Sequence, residues 1–216
     1  MILSPGRTYV FVHIPKTGGT SLALALEARA MRDDILIGDT PKARRRKRRL
    51  ESVRTRGRLW KHATLADIDG LVSVQDLDRL FAFTLVRNPW DRLVSYYCWL
   101  RAQRFDHEAV RLARKLEFAA FLAHPHTQAS LRAAPYGHYM TDARGRERAD
   151  LYIRLERFEE DAAPLFAHLG VRIDLPRVNA SDRDRDWRGY YSDETAALVG
   201  DLCAEDIRRF GYTFDG

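Results

Sequence analysis

Residues 8 to 13, TYVFVH, are almost wholly apolar; two adjacent glycines follow, then leucines and alanines at helical density over residues 20 to 30. That pattern predicts a short buried strand, a glycine turn and a helix, the first half of a βαβ unit. A second unit opens at residues 80 to 86, LFAFTLV, an uninterrupted apolar run of strand length. Asn88 and Pro89 then supply a helix cap with proline at the first helical position. Beyond them Trp90, Leu93, Val94, Tyr97 and Cys98 recur at the spacing of a core-facing stripe, which leaves Ser95 on the non-core side. Helical patterns follow at about 108 to 124, and a connection rich in Ala, Pro and Gly runs to about 148. DLYIRL, residues 150 to 155, reads as a third strand, with a helix over 157 to 169. The tail from Ser192 puts Leu198, Val199, Leu202, Cys203, Ile207 and Phe210 on one helical face, with acids in its first turn and arginines near its last. Strands alternating with helices predict an α/β fold with a central, mainly parallel sheet flanked by helices.

Composition narrows the class without naming a function. A chain of 216 residues closes one sizeable core, so a single domain over 1–216 is expected. Hydrophobic residues at 45% and charged residues at 31% are ordinary for a globular chain and suggest neither disorder nor a fibrous repeat. No apolar run approaches the ~18 residues of a membrane span, and no basic segment followed by a long apolar stretch opens the chain, so the expectation is a cytoplasmic protein without a transmembrane segment. Cys98 and Cys203 have no metal-ligand spacing and read as small buried hydrophobes. The net charge is +6, much of it in KARRRKRRLESVRTRGR, residues 42 to 58. This stretch reads as a basic helical insertion over about 40–58, a solvated helix near 41–55 and then a loop. An anion is the expected partner, and nucleic acid, acidic glycan, membrane surface and nucleotide all satisfy the sign. With no interleaved aromatics, zinc spacing or recognition motif, nucleic acid is the disfavoured choice.

Two motifs carry candidate chemistry. In HIPKTGGTS, residues 13 to 21, the glycine pair lets backbone approach a ligand, and the following helix offers free N–H groups and partial positive charge to an anion. Lys16 adds a full charge, and Thr20 and Ser21 add hydroxyl donors. The lysine precedes the glycines, so the Walker A order is not met, and no GxGxxG is present. A plain tight turn with a solvated lysine is the competing reading. In LVRNPWDRLVSYY, residues 85 to 97, Arg87 ends a strand with a forked guanidinium suited to phosphate, and Ser95 lies two turns into the next helix. Here the competing reading pairs Arg87 with Asp91 and leaves Ser95 as an exposed helix serine.

HIPKTGGTS resembles the phosphosulfate-binding loop, and LVRNPWDRLVSYY the 3′-phosphate-binding element, of sulfotransferases that use 3′-phosphoadenosine 5′-phosphosulfate (PAPS). The likeness is to the branch holding carbohydrate sulfotransferases and their small soluble bacterial relatives. It extends through WKHATLADI, DLYIRLERFEED, VNAS and the C-terminal YYSDETAALVGDLCAEDIRRFGYTF. It implies a P-loop-like sulfotransferase fold, PAPS as donor, the bisphosphate product PAP, no metal, and a hydroxyl acceptor such as a saccharide or small molecule. Pro15, Lys16, Thr17, Gly18, Gly19, Thr20 and Ser21 would hold the 5′-phosphosulfate, Lys16 meeting the charge that develops on the bridging oxygen. Arg87 and Ser95 would hold the 3′-phosphate. In NASDRDRDWRGYY, either a cover for the nucleotide or a solvated loop, Arg183 or Arg188 would add a contact. His62, in the segment where related carbohydrate sulfotransferases place their base, is the candidate to take the acceptor proton. His13 is its rival, better placed to orient the loop, and Lys61 either assists or faces solvent. A kinase-like phosphotransferase is the alternative activity. Neither the acceptor nor the oligomeric state is written in these motifs.

Overall fold

The structure is a computed structural model and describes residues 1–176 and 186–215. Its sheet is built from β1 (Ile2–Ser4), β2 (Tyr9–Val12), β3 (Ile35–Leu36), β4 (Phe81–Val86) and β5 (Leu151–Arg154), in the spatial order β3, β1, β2, β4, β5. β2 pairs in parallel with β4, and β4 with β5, whereas β1 is antiparallel to both its neighbours. The sheet is therefore mixed, with β1 alone running against the other strands, and with its helices it forms the expected α/β architecture. The short strand β1 was not legible in advance, because three residues carry no period.

Both faces of this sheet are covered, which explains the unbroken apolar runs. Alternation sends Tyr9 and Phe11 of β2, with Phe83 and Leu85 of β4 and Ile153 of β5, into one core. There they meet Leu22, Ala23 and Leu26 of helix α1 (Gly19–Ala28), together with Phe158 and Leu165. Val10 and Val12 face the other way, onto Ala63, Leu65, Ile68, Leu77 and Met140. Thr84, buried mid-strand, hydrogen-bonds the Val12 carbonyl at 2.8 Å and ties β4 to the end of β2.

Helix α2 spans only Pro41–Arg46 and passes into a 3₁₀ turn, Lys47–Leu50, in place of the expected helix to residue 55. Successive cations from Arg44 to Arg49 repel at helical spacing with no acid among them. Arg46 and Arg49 are also drawn off the segment, to the carbonyls of Met31 and Asp34 and of Arg32. Helix α3 (Val74–Leu77), capped by Ser73, precedes β4. Residues 157 to 169 form two short helices, Phe158–Asp161 and Ala163–Leu169, with Pro164 at the start of the second.

The described residues fall into two compact units, one of Met1–Val86 and the stretch from Tyr136 to residue 176, the other of Arg87–Pro135 and residues 186–215. In the second, helix α4 (Pro89–Arg101) is capped by Asn88 and buries Trp90, Leu93, Val94, Tyr97 and Leu100 among Val110, Phe121 and Val199. Ser95 is buried rather than on an open face, and Cys98 of the expected stripe is only half-buried, so more than one side of α4 is enclosed. The expected helix at 108 to 124 breaks into Glu108–Lys115 and Phe118–Ala123, and the connection after it is largely helical, at Pro125–Ala133 and Tyr136–Tyr139. Among the described residues no helix is long and apolar enough to cross a membrane.

Candidate active site

The loop between β2 and α1 is shaped by two glycines that cannot be replaced in place. Gly18 sits at φ +84°, a left-handed conformation, and a Cβ there would meet Leu155 Cδ1 at 2.8 Å. A Cβ on Gly19 would fall 2.1 Å from the His13 ring. Lys16 also has positive φ, +66°, which is costly for a residue with a side chain and is found where a site over-determines the backbone. Thr17 is buried, and its hydroxyl donates to the Ile14 carbonyl at 3.0 Å. That bond closes the loop, leaving the Thr17 backbone rather than its hydroxyl proton for a ligand.

Gly18 caps α1 without any side-chain acceptor, and the first turn holds no acid. The Ser21 amide turns back to the Gly18 carbonyl at 3.0 Å, whereas the amides of Gly19 and Thr20 reach no protein acceptor among the described residues. Two open N–H groups at the positive end of a ten-residue helix, beside Lys16, make an anion cradle.

His62, 49 residues further along the chain, joins this loop through His13: its Nδ1 lies 2.7 Å from the His13 carbonyl. A carbonyl only accepts, so Nδ1 carries the proton and, in the neutral ring, Nε2 keeps the basic lone pair. The two imidazoles meet edge to face with centroids 4.6 Å apart, and the His13 ring lies against Gly19. Burial lowers the His62 pKa to about 4, with the bond to the His13 carbonyl opposing and the Lys61 charge adding. His13, more deeply buried, is pushed well below the ordinary histidine range, again by burial first. Both rings are therefore neutral near pH 7. Lys61 bonds Asp39 at 2.7 Å, and Trp60 stands edge to face on His62 at 5.1 Å.

In the second unit, Arg87 is the first residue after β4 and grips Asp91 through Nε and Nη2 at 2.8 and 2.6 Å, as the competing reading of that motif had it. Ser95 lies on α4, buried. Within the first unit β2 and β4 are parallel neighbours, so both strands end at the carboxyl edge of one sheet. Arg183 falls outside the described residues, as do Asn179 and Ser181. Arg188 stacks on Trp187 with its guanidinium 4.7 Å from the ring centroid.

A model of the sulfotransferase family matches residues 1–213. The chain belongs to the sulfotransferase family. Curated proteins provide no match. Among solved structures, the mouse sulfotransferase SULT7A1, crystallised with PAP, aligns at 17% identity with a TM-score of 0.48, over 95% of this chain and 86% of that one. The enzyme is thus a sulfuryl transferase by family, and the loop, His13 and His62 are the parts of it that the geometry brings together. Neither the bond from His62 to His13 nor the packing of Leu155 on Gly18 had a signal in the sequence, since each joins residues remote in the chain.

Proposed function

We propose that this sulfotransferase moves the sulfuryl group of PAPS to a hydroxyl of a saccharide or small-molecule acceptor and releases PAP. The observation that carries the reading is the hydrogen bond between His62 and the carbonyl of His13, which sets a neutral imidazole one ring away from the anion cradle. The open amides of Gly19 and Thr20, the hydroxyls of Thr20 and Ser21 and the charge of Lys16 suit a 5′-phosphosulfate. Arg87 and Ser95 are assigned to the 3′-phosphate from their motif, and the Asp91 carboxylate presets the Arg87 fork. His62 Nε2 takes the acceptor proton as the acceptor oxygen bonds to sulfur. The bond from sulfur to the bridging oxygen breaks, its electron pair staying on the nucleotide, where Lys16 meets the charge.

Transfer of ³⁵S from PAPS to a panel of saccharides, lipids, phenols and small alcohols tests the reading. Lys16→Ala should lower kcat by about 100- to 1000-fold. His62→Ala should lower it by about 100- to 10,000-fold. Full turnover in His62→Ala removes it as the base. A thermal shift with ATP and Mg²⁺ but none with PAP would replace the proposal by a phosphotransferase.

A further inference from the structure

The backbone carbonyl of His13 holds His62, but its imidazole makes no hydrogen bond of its own. The ring is only 6% exposed, and neither nitrogen reaches a partner among the described residues. Neither nitrogen is sealed from solvent: the fully buried side-chain atoms left without a partner, among the described residues, are Thr127 Oγ1 and Asp142 Oδ2. Buried polar groups are satisfied in the great majority of cases, so an open polar edge on a nine-tenths buried ring points to a partner from outside the chain.

The ring is held in one place. It lies along Phe11, with centroids 6.0 Å apart and planes 19° from parallel, and meets His62 edge to face at 4.6 Å. Its Cδ2 and Nε2 stand 2.1 and 2.6 Å from the point that a Cβ on Gly19 would take, so this edge fills the side-chain space of the first residue of α1. Glycine at 19 therefore brings the imidazole beside the open amides of Gly19 and Thr20, at the start of a ten-residue helix. Burial first, and then the surrounding cations, Lys61 and Lys16 among them, keep the ring neutral. A neutral imidazole carries a single N–H, and with no protein acceptor on either nitrogen an anion in the cradle draws it to Nε2.

We infer that His13 is a catalytic residue of the transfer: Nε2–H of its neutral ring donates a hydrogen bond to an oxygen of the sulfuryl group, beside the amides that hold the adjoining phosphate. The inference rests on the proposed function, with His62 as the base. During transfer the sulfur lies between the nucleotide phosphate and the acceptor oxygen. The His13 ring meets both Gly19, at the cradle, and His62, at the acceptor end. The bonds are those of the proposed step: acceptor oxygen to sulfur forms, sulfur to bridging oxygen breaks with its electron pair leaving on PAP, and the acceptor proton passes to His62. His13 keeps its proton throughout. A donor already locked by packing stabilises the transferring group without reorganisation, and its neutrality leaves the charge on the leaving oxygen to Lys16.

The test compares PAPS with PAP, which differ by the sulfuryl group alone, on the whole chain. In ¹⁵N-histidine spectra of the wild type, PAPS should fix the His13 proton on Nε2 and shift that nitrogen, whereas PAP should leave it as in the free protein. His13→Leu removes the donor at similar volume, and His13→Gln returns an N–H close to the position of Nε2. By calorimetry His13→Leu should weaken PAPS binding roughly tenfold and leave PAP binding nearly unchanged. It should lower kcat about 100-fold on the acceptor that the ³⁵S panel selects, and His13→Gln should recover most of both losses. A residue that only shapes the loop would weaken both ligands alike, with His13→Gln no better than His13→Leu. That result, or identical His13 spectra with PAPS and PAP, overturns the contact. The His62 Nδ1–H signal is followed in each variant to show that the carbonyl at position 13 still holds it; where it is lost, the wild-type spectra decide. Failure of the wild type to bind either nucleotide instead brings down the donor reading beneath.

Discussion

A Cβ on Gly19 has nowhere to go but into the His13 ring, whose residue supplies the carbonyl that holds His62. Gly19→Ala is therefore expected to cost about 1–3 kcal/mol of stability through overpacking. It should also lower sulfuryl transfer by displacing His62, an effect visible as a kcat loss larger than the change in donor affinity. Lys16 gives a complementary case. Its φ of +66° suits glycine, so Lys16→Gly should be more stable than Lys16→Ala by about 1 kcal/mol in denaturant titrations. Both variants should lose kcat to the same extent, which separates the strain at this position from the charge it carries. His62 should show, in ¹⁵N spectra at neutral pH, a protonated Nδ1 and a bare Nε2; the opposite tautomer would contradict its bond to the His13 carbonyl. The HIPKTGGTS motif marked this loop as a candidate anion site, because a glycine pair lets backbone approach a ligand at a helix N-terminus. It could not show that Thr17 turns its hydroxyl inward, since that depends on how the loop closes.

At the scale of elements, the apolar runs located β2, β4 and β5, and the Asn88-Pro89 pair located the start of α4. These expectations rest on local rules, the buried strand and the capped helix, which operate over a few residues. Helix α2 shows where such rules fail. Its residues are good helix formers, yet it stops at Arg46, because propensity is outweighed by repulsion among like charges and by carbonyl acceptors on the turn after α1. Shortening the charge run should reveal this. Lys47→Glu and Arg48→Glu, which place acids in helical register with Arg44 and neighbouring cations, should lengthen α2 toward Leu50, checked by amide exchange across residues 47 to 51. Ser95 fails for a different reason: a stripe count assumes one covered face, and α4 is enclosed on more than one.

For the whole molecule, two neutral buried histidines in the sheet-bearing unit make stability depend on acid. Both have folded pKa values below the ordinary 6.5, so between pH 6.5 and about 4 the unfolded chain binds more protons than the folded one, and stability falls as pH falls through that window. Thermal melts should show the decline, and His62→Asn should flatten part of it. The same shift leaves kcat/KM for the free enzyme without a histidine limb between pH 6 and 8, its fall appearing only toward pH 4. A limb near 6.5 would mean that His62 titrates as an exposed imidazole and is not held as described.

Chemistry that lies within one turn of chain, the glycine loop, its lysine, the capped helix after Arg87 and the α/β alternation, was determined by the order of residues, because steric freedom, charge and hydrophobic period act between near neighbours. Which histidine meets the loop, and which arginines of residues 42 to 58 are consumed by backbone carbonyls, were decided only by the tertiary structure. Those outcomes depend on burial and on hydrogen bonds between residues 12 to 87 positions apart in the chain, whose pairing no local pattern encodes.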